Sequence, residues 1–166
     1  MEFRDEVDRI IAAWEEQRPD LDVSPLAILS RVSRLDRHLD RARRSVFAAN
    51  HLEPWEFDVL SALRRAGEPY TLSPGALVTQ TMVTSGTMTN RIDRMESREL
   101  VVRKPSPDDR RAVLVELTAA GRDLVDAAFT DLLEIEHRVL ETLTADSQSA
   151  LADMLRTLTR QFEQLG

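Results

Sequence analysis

Apolar residues recur at intervals of three or four along most of this chain, which is the pattern of amphipathic helices. The pattern predicts helices over residues 2–18, 25–49 and 53–67. A segment with two prolines separates the first two helices, and Ser24 is the predicted cap of the second. Gly67 is expected to end the third helix, because glycine tolerates the left-handed backbone that often follows a helix.

From residue 72 onward the predicted elements become short. Ser73 and Pro74 are residue types that begin helices, so a short helix is predicted over 74–79. After a turn, a second helix is predicted over 85–98. Its inward positions, spaced for one helix face, are Met88, Ile92 and Met95.

Two β-rich runs follow, at 100–103 and 112–117, and flank the polar loop KPSPDDRR. A polar loop that contains prolines between two such runs predicts a hairpin with an exposed tip. The EPYT segment before the first short helix is expected to be only a connector. The rest of the chain predicts two long helices over about 119–143 and 145–165. Asp146 and Ser147 are the expected caps of the last helix.

A helix, a turn, a helix and a hairpin within residues 54–118 have the layout of a winged helix-turn-helix. We therefore expect a mostly α fold with its winged helix-turn-helix unit at 53–118. Helices at 1–52 precede this unit, and helices at 119–166 follow it. The second helix of such a unit can enter a major groove of DNA, and the hairpin can reach the backbone or the minor groove.

The net charge of −7 over 166 residues argues on average against nucleic acid, but the charge is unevenly distributed. Both ends of the chain are acidic, whereas residues 31–44 hold six arginines and two aspartates. A DNA-binding protein needs positive charge on one face and not on average. The sequence leaves open whether this segment contacts phosphates or is only a solvated helix face. Its arginines are Arg31, Arg34, Arg37, Arg41, Arg43 and Arg44.

The chain has no cysteine, which excludes disulfides, thiolate metal sites and a thiol redox switch. No apolar run approaches the roughly 18 residues of a membrane-spanning helix, so no membrane partner is expected. The acidic start lacks the basic and apolar regions of a signal peptide. The expected location is the cytoplasm.

The outward face of the helix at 85–98 carries groups that suit DNA. Asparagine pairs with adenine, arginine with guanine, and threonine contacts a thymine methyl or a phosphate. Gly86, in the first turn, lets backbone N–H groups approach a phosphate closely. A polar helix face is usually just solvated, but the short helix before it and the hairpin after it favour DNA contact. At the hairpin tip, Arg110 and Arg111 are placed to enter a narrow minor groove.

Two sequence motifs resemble those of a known protein family. The run DRRAVLVELT at 109–118, followed by AAG, resembles the wing and exit signature of the MarR family of bacterial transcriptional regulators. SGTMTNRIDRM at 85–95 is similar to the recognition helix of that family. The resemblance implies that Asp109 helps to orient the wing and that Arg111 enters the minor groove. The predicted DNA-binding residues are Ser85, Gly86, Thr87, Thr89, Asn90, Arg91, Arg94, Lys104, Asp109, Arg110 and Arg111.

The resemblance also implies a homodimer in which helices from the two chain ends are intertwined, so that 1–52 and 119–166 are dimerisation segments of one domain. Two copies of the recognition helix would bind a pseudo-palindromic operator with half-sites about 10 base pairs apart. Apolar stripes are usually monomer core, but this chain has more of them than one small core can bury. The expected interface stripes are Leu124, Val125, Ala128, Phe129, Leu132 and Leu133, then Leu151, Met154, Leu155, Leu158 and Phe162.

The additional N-terminal helix, with its tryptophan, resembles the urate-responsive subgroup of the family. That resemblance implies a site for a small organic anion, with Arg103 as a further match on the following strand. Asp58 and Arg65 are two helical turns apart and share a face, and paired arginines can bind an anion bidentately. The alternative is a set of structural salt bridges at a helix junction, with the tryptophan in the core. The predicted ligand-binding residues are Trp14, Asp58, Arg65 and Arg91.

Three functions compete with that of a ligand-responsive DNA-binding regulator: an enzyme, a winged-helix dimer that binds proteins, and a regulator without a ligand. An enzyme is disfavoured because His38, His51 and His137 have no neighbouring nucleophile motif and the chain has no glycine-rich phosphate loop. No cofactor is therefore expected. A winged-helix dimer that acts through protein partners would show apolar anchors on the outward face of the helix at 85–98, where polar groups stand instead. A regulator that needs no ligand is the third.

Overall fold

The computed structural model describes residues 4–107, 109 and 112–163 of the chain. The helices of this part are α1 (Glu6–Gln17), α2 (Leu26–Ala49), α3 (Pro54–Arg65), α4 (Pro74–Thr81), α5 (Ser85–Ser97), α6 (Ala119–Leu140) and α7 (Ala145–Glu163). The strands are β1 (Thr71–Leu72), β2 (Val101–Pro105) and β3 (Val113–Leu117). The predicted mostly helical fold with a hairpin wing is confirmed. Within the described residues, no helix is both long and apolar enough to cross a membrane.

The sheet has one strand more than predicted. Its strand order is β1-β3-β2, with antiparallel pairing throughout. Thr71 pairs with Glu116 and Leu72 with Val115, so the expectation that EPYT is only a connector is wrong at its last residue. Two residues are too few to show an alternating pattern, and the pairing depends on β3, which lies more than forty residues further along.

Side-chain caps begin most of the helices, as expected for Ser73, whose Oγ accepts from the N–H of Ala76 at 3.1 Å. Two predicted caps are wrong. Helix α2 starts after Pro25 without a side-chain cap, so Ser24 does not cap it. Before α7, the Thr144 Oγ1 accepts from the N–H of Ser147 at 3.3 Å, in place of the expected Asp146 and Ser147 caps.

The hydrophobic core lies where α3 and α4 pack on β3, α5 packs on β2 and α6 packs along α3. The predicted inward residues of α5 are fully buried there, which confirms the orientation of this helix. Part of the stripe expected at an interface also belongs to this core, because α6 packs along α3. The stripe residues buried within the single chain are Val125, Ala128 and Leu132, with Leu124 packed against them.

The end helices leave apolar surface exposed. No residue of α7 that the structure describes is fully buried, although the helix is amphipathic. Its exposed apolar residues are Met154, Leu155 and Leu158, and those of α2 are Ile28, Leu29, Val32 and Leu35. Phe129 and Leu133 add to this surface from α6. The burial of the Phe162 side chain lies outside what the structure describes.

The arginines of residues 31–44 mostly bind carboxylates of the same chain. Arg31 donates to Asp5 and Asp8 of the α1 start, at 2.9 and 2.7 Å. Arg43 donates to Glu136 of α6 at 2.7 Å. The other pairs are Arg34 with Glu6 and Arg44 with Asp40. Of the two interpretations left open by the sequence, these pairs favour the solvated helix face over a phosphate-contacting one.

Candidate nucleic-acid interface

Helices α4 and α5 form the helix-turn-helix. Met82, which ends α4, adopts a left-handed backbone (φ 52°) and turns the chain towards α5. The Thr84 side chain then caps α5 by accepting from the N–H of Thr87 at 3.3 Å. Because one face of α5 is buried, the opposite face points to solvent over its first two turns.

That solvent face contains five of the eleven predicted DNA-binding residues. Those of its first two turns that are exposed are Ser85, Gly86, Thr87, Thr89 and Asn90. The Thr87 hydroxyl lies 2.9 Å from that of Thr84, and the Thr89 hydroxyl donates to the Ser85 carbonyl at 3.1 Å. A Cβ added at Gly86 would have no neighbour within 4 Å, so the backbone there is open to a close approach. The face can therefore contact phosphates and base edges.

Arg91 and Arg94, the two arginines of α5 that are predicted to bind DNA, pack against α3. Their guanidinium carbons lie over the Trp55 ring, at 5.4 Å from its centroid for Arg91 and 4.8 Å for Arg94. Arg94 also donates to Glu53 at 3.1 Å. Sequence reasoning missed this cluster, because Glu53 and Arg94 are 41 residues apart.

A buried carboxylate anchors the C-terminal end of α5. Glu56 is 2% exposed, and both its oxygens accept from Arg98, at 2.6 and 2.7 Å. Arg98 also donates to the His51 carbonyl at 2.8 Å. The Glu56 position could have been found as the third helical residue of a capping box, since it accepts from the Glu53 N–H at 2.9 Å.

Strand β2 is tied to the same helix. Arg103 donates to Asp93 and Glu96 of α5, and these carboxylates, Asp93 first, raise the pKa of Arg103. Arg103 therefore joins the wing to α5, which fixes their relative position. The resemblance of Arg103 to an arginine of the urate-responsive subgroup can therefore also be explained by its structural ion pairs with Asp93 and Glu96.

The wing is described up to its tip. Lys104 donates to Glu116 across the β2–β3 pair at 2.6 Å and remains half-exposed. The Ser106 N–H donates to the Ala112 carbonyl at 2.9 Å, which closes the base of the loop, and the Ala112 N–H donates to the Asp109 carbonyl at 2.9 Å. The predicted minor-groove residues Arg110 and Arg111 lie outside the described residues.

Three of the four predicted ligand residues lie near one another. Neighbouring groups partly desolvate the exposed Asp58 carboxylate and raise its pKa, and the charges of Arg91 and then Arg65 oppose that rise. Arg65 donates to Ser61 at 3.1 Å. Trp14 instead lies on α1, half-exposed, in a groove with Ile10, Ala13 and Gln17.

A cavity of about 170 Å³ opens beside Arg65 between α3 and α6. Its walls combine aromatic surface with charge: Phe57, Ser61, Arg64, Arg65, Val125, Asp126 and Phe129. Arg64 forms an ion pair there with Asp126, with 2.8 Å between the guanidinium Nε and the carboxylate oxygen. The groove of Trp14 shares no lining residue with this cavity.

A buried helix-turn-helix core, an exposed polar face on its second helix and an adjoining hairpin define a winged helix-turn-helix protein. A model of the MarR family matches residues 52–112. The transcriptional regulator PecS of Dickeya dadantii is 36% identical over 150 residues, 90% of this chain and 90% of its own. The chain therefore belongs to the MarR family of transcriptional regulators, as its sequence predicts.

Two solved structures of regulators are similar to this chain. One is a mutant of MarR from Escherichia coli in complex with operator DNA, with a TM-score of 0.66 and 26% identity. It aligns over 83% of this chain and 99% of its own. The other is BpsR from Bordetella bronchiseptica, whose DNA binding is described as regulated by 6-hydroxynicotinic acid. Its TM-score is 0.59 and its identity 29%, over 77% of this chain and 92% of its own.

Proposed function

We propose that this protein is a repressor that binds a pseudo-palindromic operator as a homodimer and is released by a small organic anion. The observation that carries the proposal is α5, whose buried face fixes an opposite face made of Thr87, Asn90 and backbone at Gly86. The similarity to MarR in complex with operator DNA supports it. Because an operator lies in the bacterial cytoplasm, the protein acts there.

The exposed apolar surface supports the homodimer. A helix such as α7, amphipathic and yet unburied in the single chain, needs a second apolar surface to cover it. The stripe on α2 and the exposed part of α6 offer such surface on the same molecule. Because a two-fold dimer presents two recognition helices, its DNA site has two half-sites about one helical turn apart.

The first experiment is selection of bound sequences from random DNA, followed by titration of the selected site with fluorescence anisotropy. The proposal expects saturable binding that weakens steeply with salt, with two protomers per site by sedimentation. A stable dimer that selects no sequence would refute the DNA-binding proposal and favour a winged-helix dimer that acts through protein partners. A reporter gene placed behind the selected site tests repression.

Asn90→Ala is expected to relax the preference at one base position in each half-site. An asparagine that pairs bidentately with adenine contributes about 1–3 kcal/mol of discrimination against other bases. The measurement is the affinity for operators that carry each base at every position. Gln17→Ala, which removes an exposed amide at the end of α1, is the matched control and should leave the base preferences unchanged. Equal weakening on all sequences would identify Asn90 as a phosphate contact.

The anion site is proposed at Asp58, Arg65 and Arg91, beside the cavity between α3 and α6. Because Arg91 belongs to the recognition helix, an anion that draws it towards Arg65 would move that helix relative to α3. This is a route from ligand binding to DNA release. The regulation of BpsR by an aromatic acid supports an anionic ligand. The role of Trp14 and the urate-responsive subgroup stay predictions.

Arg65→Ala is expected to keep DNA affinity within about twofold while abolishing release by the anion, because Arg65 lies on α3 and not on the DNA-contacting face. The measurement is operator affinity with increasing urate and, separately, citrate. Arg122→Ala, on the first turn of α6, removes an exposed arginine and should respond as the unmutated protein does. A normal response of Arg65→Ala would exclude this site, and a protein that responds to no anion would be a ligand-independent regulator.

A further inference from the structure

Three side chains at the junction of α3 and α5 form a closed ring of contacts. The Glu53 carboxylate accepts from the Trp55 indole N–H at 2.7 Å through one oxygen and from Arg94 at 3.1 Å through the other. The Arg94 guanidinium lies over the same indole, 4.8 Å from its centroid. Glu53 thus holds both the ring and the cation that stacks on it.

These contacts bind Arg94, an arginine of α5 that is predicted to contact DNA. The indole N–H and then the Arg94 guanidinium hold the pKa of Glu53 below its usual value, so the carboxylate is ionised at neutral pH. Both partners remain open to water, with 54% of the Arg94 side chain and 57% of the Glu53 side chain exposed. Exposed ion pairs of this kind contribute little, so a DNA phosphate or a guanine edge can displace the carboxylate.

We infer that Glu53 competes with DNA for Arg94. In the free protein Arg94 is bound to Glu53 and stacked on Trp55, and on DNA it leaves the carboxylate for a phosphate or base edge. Glu53 therefore lowers the affinity for DNA by the cost of breaking its pair with Arg94. This inference rests on the proposed DNA-binding function.

A double-mutant cycle separates this competition from simple repulsion between Glu53 and DNA. Glu53→Gln removes the charge but keeps an oxygen for the indole N–H, and the backbone N–H of residue 53 still donates to Glu56. In the unmutated background, Glu53→Gln is expected to tighten operator binding about two- to fivefold, the range of an exposed ion pair. In the Arg94→Ala background, which itself binds more weakly, the same substitution is expected to change nothing.

Trp55 supplies a direct readout of the exchange. The chain has two tryptophans, so Trp14→Phe leaves Trp55 as the only tryptophan, which excitation at wavelengths that tyrosine does not absorb reports alone. In that background, saturating operator DNA is expected to change the Trp55 emission as Arg94 leaves the ring. The change should be smaller when Arg94→Ala is added, and the part that remains reports Arg91, whose guanidinium also lies over the ring. Thermal unfolding of every variant confirms that each is folded.

The outcomes are distinct. Equal tightening by Glu53→Gln in both backgrounds would show long-range repulsion and overturn the competition, as would no tightening at all. An Arg94→Ala variant with unchanged operator affinity would also overturn it, because Arg94 would then contact no DNA. Failure of the unmutated protein to bind any selected DNA would overturn this inference together with the proposed function.

Discussion

Arg98→Met is expected to lower the free energy of unfolding by about 3 kcal/mol, the lower end for breaking a buried ion pair. Glu56 is almost fully buried, whereas the Arg98 side chain is 39% exposed, so water can partly replace the lost cation. Methionine keeps much of the side-chain volume but donates nothing to Glu56 or to the His51 carbonyl. Urea unfolding at a fixed protein concentration measures the loss, since dimerisation contributes to stability.

A second substitution tests whether the unpaired Glu56 carboxylate causes this loss of stability. Glu56→Gln, added to Arg98→Met, removes the uncompensated carboxylate and is expected to restore part of the lost stability. If the double variant is as unstable as Arg98→Met alone, the loss comes from packing and not from the buried charge. Arg156→Met on α7, which removes an exposed arginine paired with Asp153, is the matched control and should change little.

Gly121→Ala is expected to destabilise the fold by about 3 kcal/mol, the upper end for an overpacked site. A Cβ at this position would lie 2.1 Å from the Leu100 carbonyl oxygen and 2.9 Å from the Leu117 side chain. The carbonyl cannot shift cheaply, because it accepts from both the N–H and the hydroxyl of Thr118, at 3.1 and 3.0 Å. The start of α6 must therefore move away from the turn that follows α5.

Gly86→Ala is the matched control for this substitution. It also replaces a glycine in the first turn of a helix, but its new Cβ would meet nothing within 4 Å. Alanine favours a helix over glycine by up to about 1 kcal/mol, so this variant should be at least as stable as the unmutated protein. Urea unfolding of both variants separates the clash from the change of residue type. Equal losses would contradict the role given to the Leu100 carbonyl.

The structural role of Gly121 gives a physical reason for the last glycine of the sequence motif that resembles the MarR wing. The threonine three residues before it caps α6, since the Gly121 N–H donates to the Thr118 hydroxyl at 3.0 Å. The same threonine holds the Leu100 carbonyl over the glycine. Thr118 and Gly121, at the end of the motif, thus join the wing strand to α6 and to the end of α5, and they help to position α5.

Local patterns in the sequence were sufficient for much of the fold and for the outward face of α5. The spacing of Met88, Ile92 and Met95 predicts which side of the helix is buried, and all three are buried. The same spacing leaves Thr87 and Asn90 on the exposed side. These predictions succeed because helical periodicity and capping depend on neighbours within a few residues.

The state of the charged groups could not be predicted in this way. The sequence suggests Arg94 as a DNA contact, but the structure also gives it Glu53 and Trp55 as partners. Arg98 was assigned no role, although it neutralises the buried carboxylate of Glu56 across 42 residues of sequence. Nothing in the local pattern distinguishes a paired arginine from one that is open to DNA.

The sequence by itself determined the helices, the wing, the family and the polar face of α5, because each depends on short-range patterns or on a compact motif. Only the tertiary structure decided which cations are already bound to carboxylates, how β1 completes the sheet and which part of α6 belongs to the core. Those outcomes depend on groups distant in sequence that meet after folding. Packing brings them within hydrogen-bond distance, and burial then sets which charges must be neutralised within the chain.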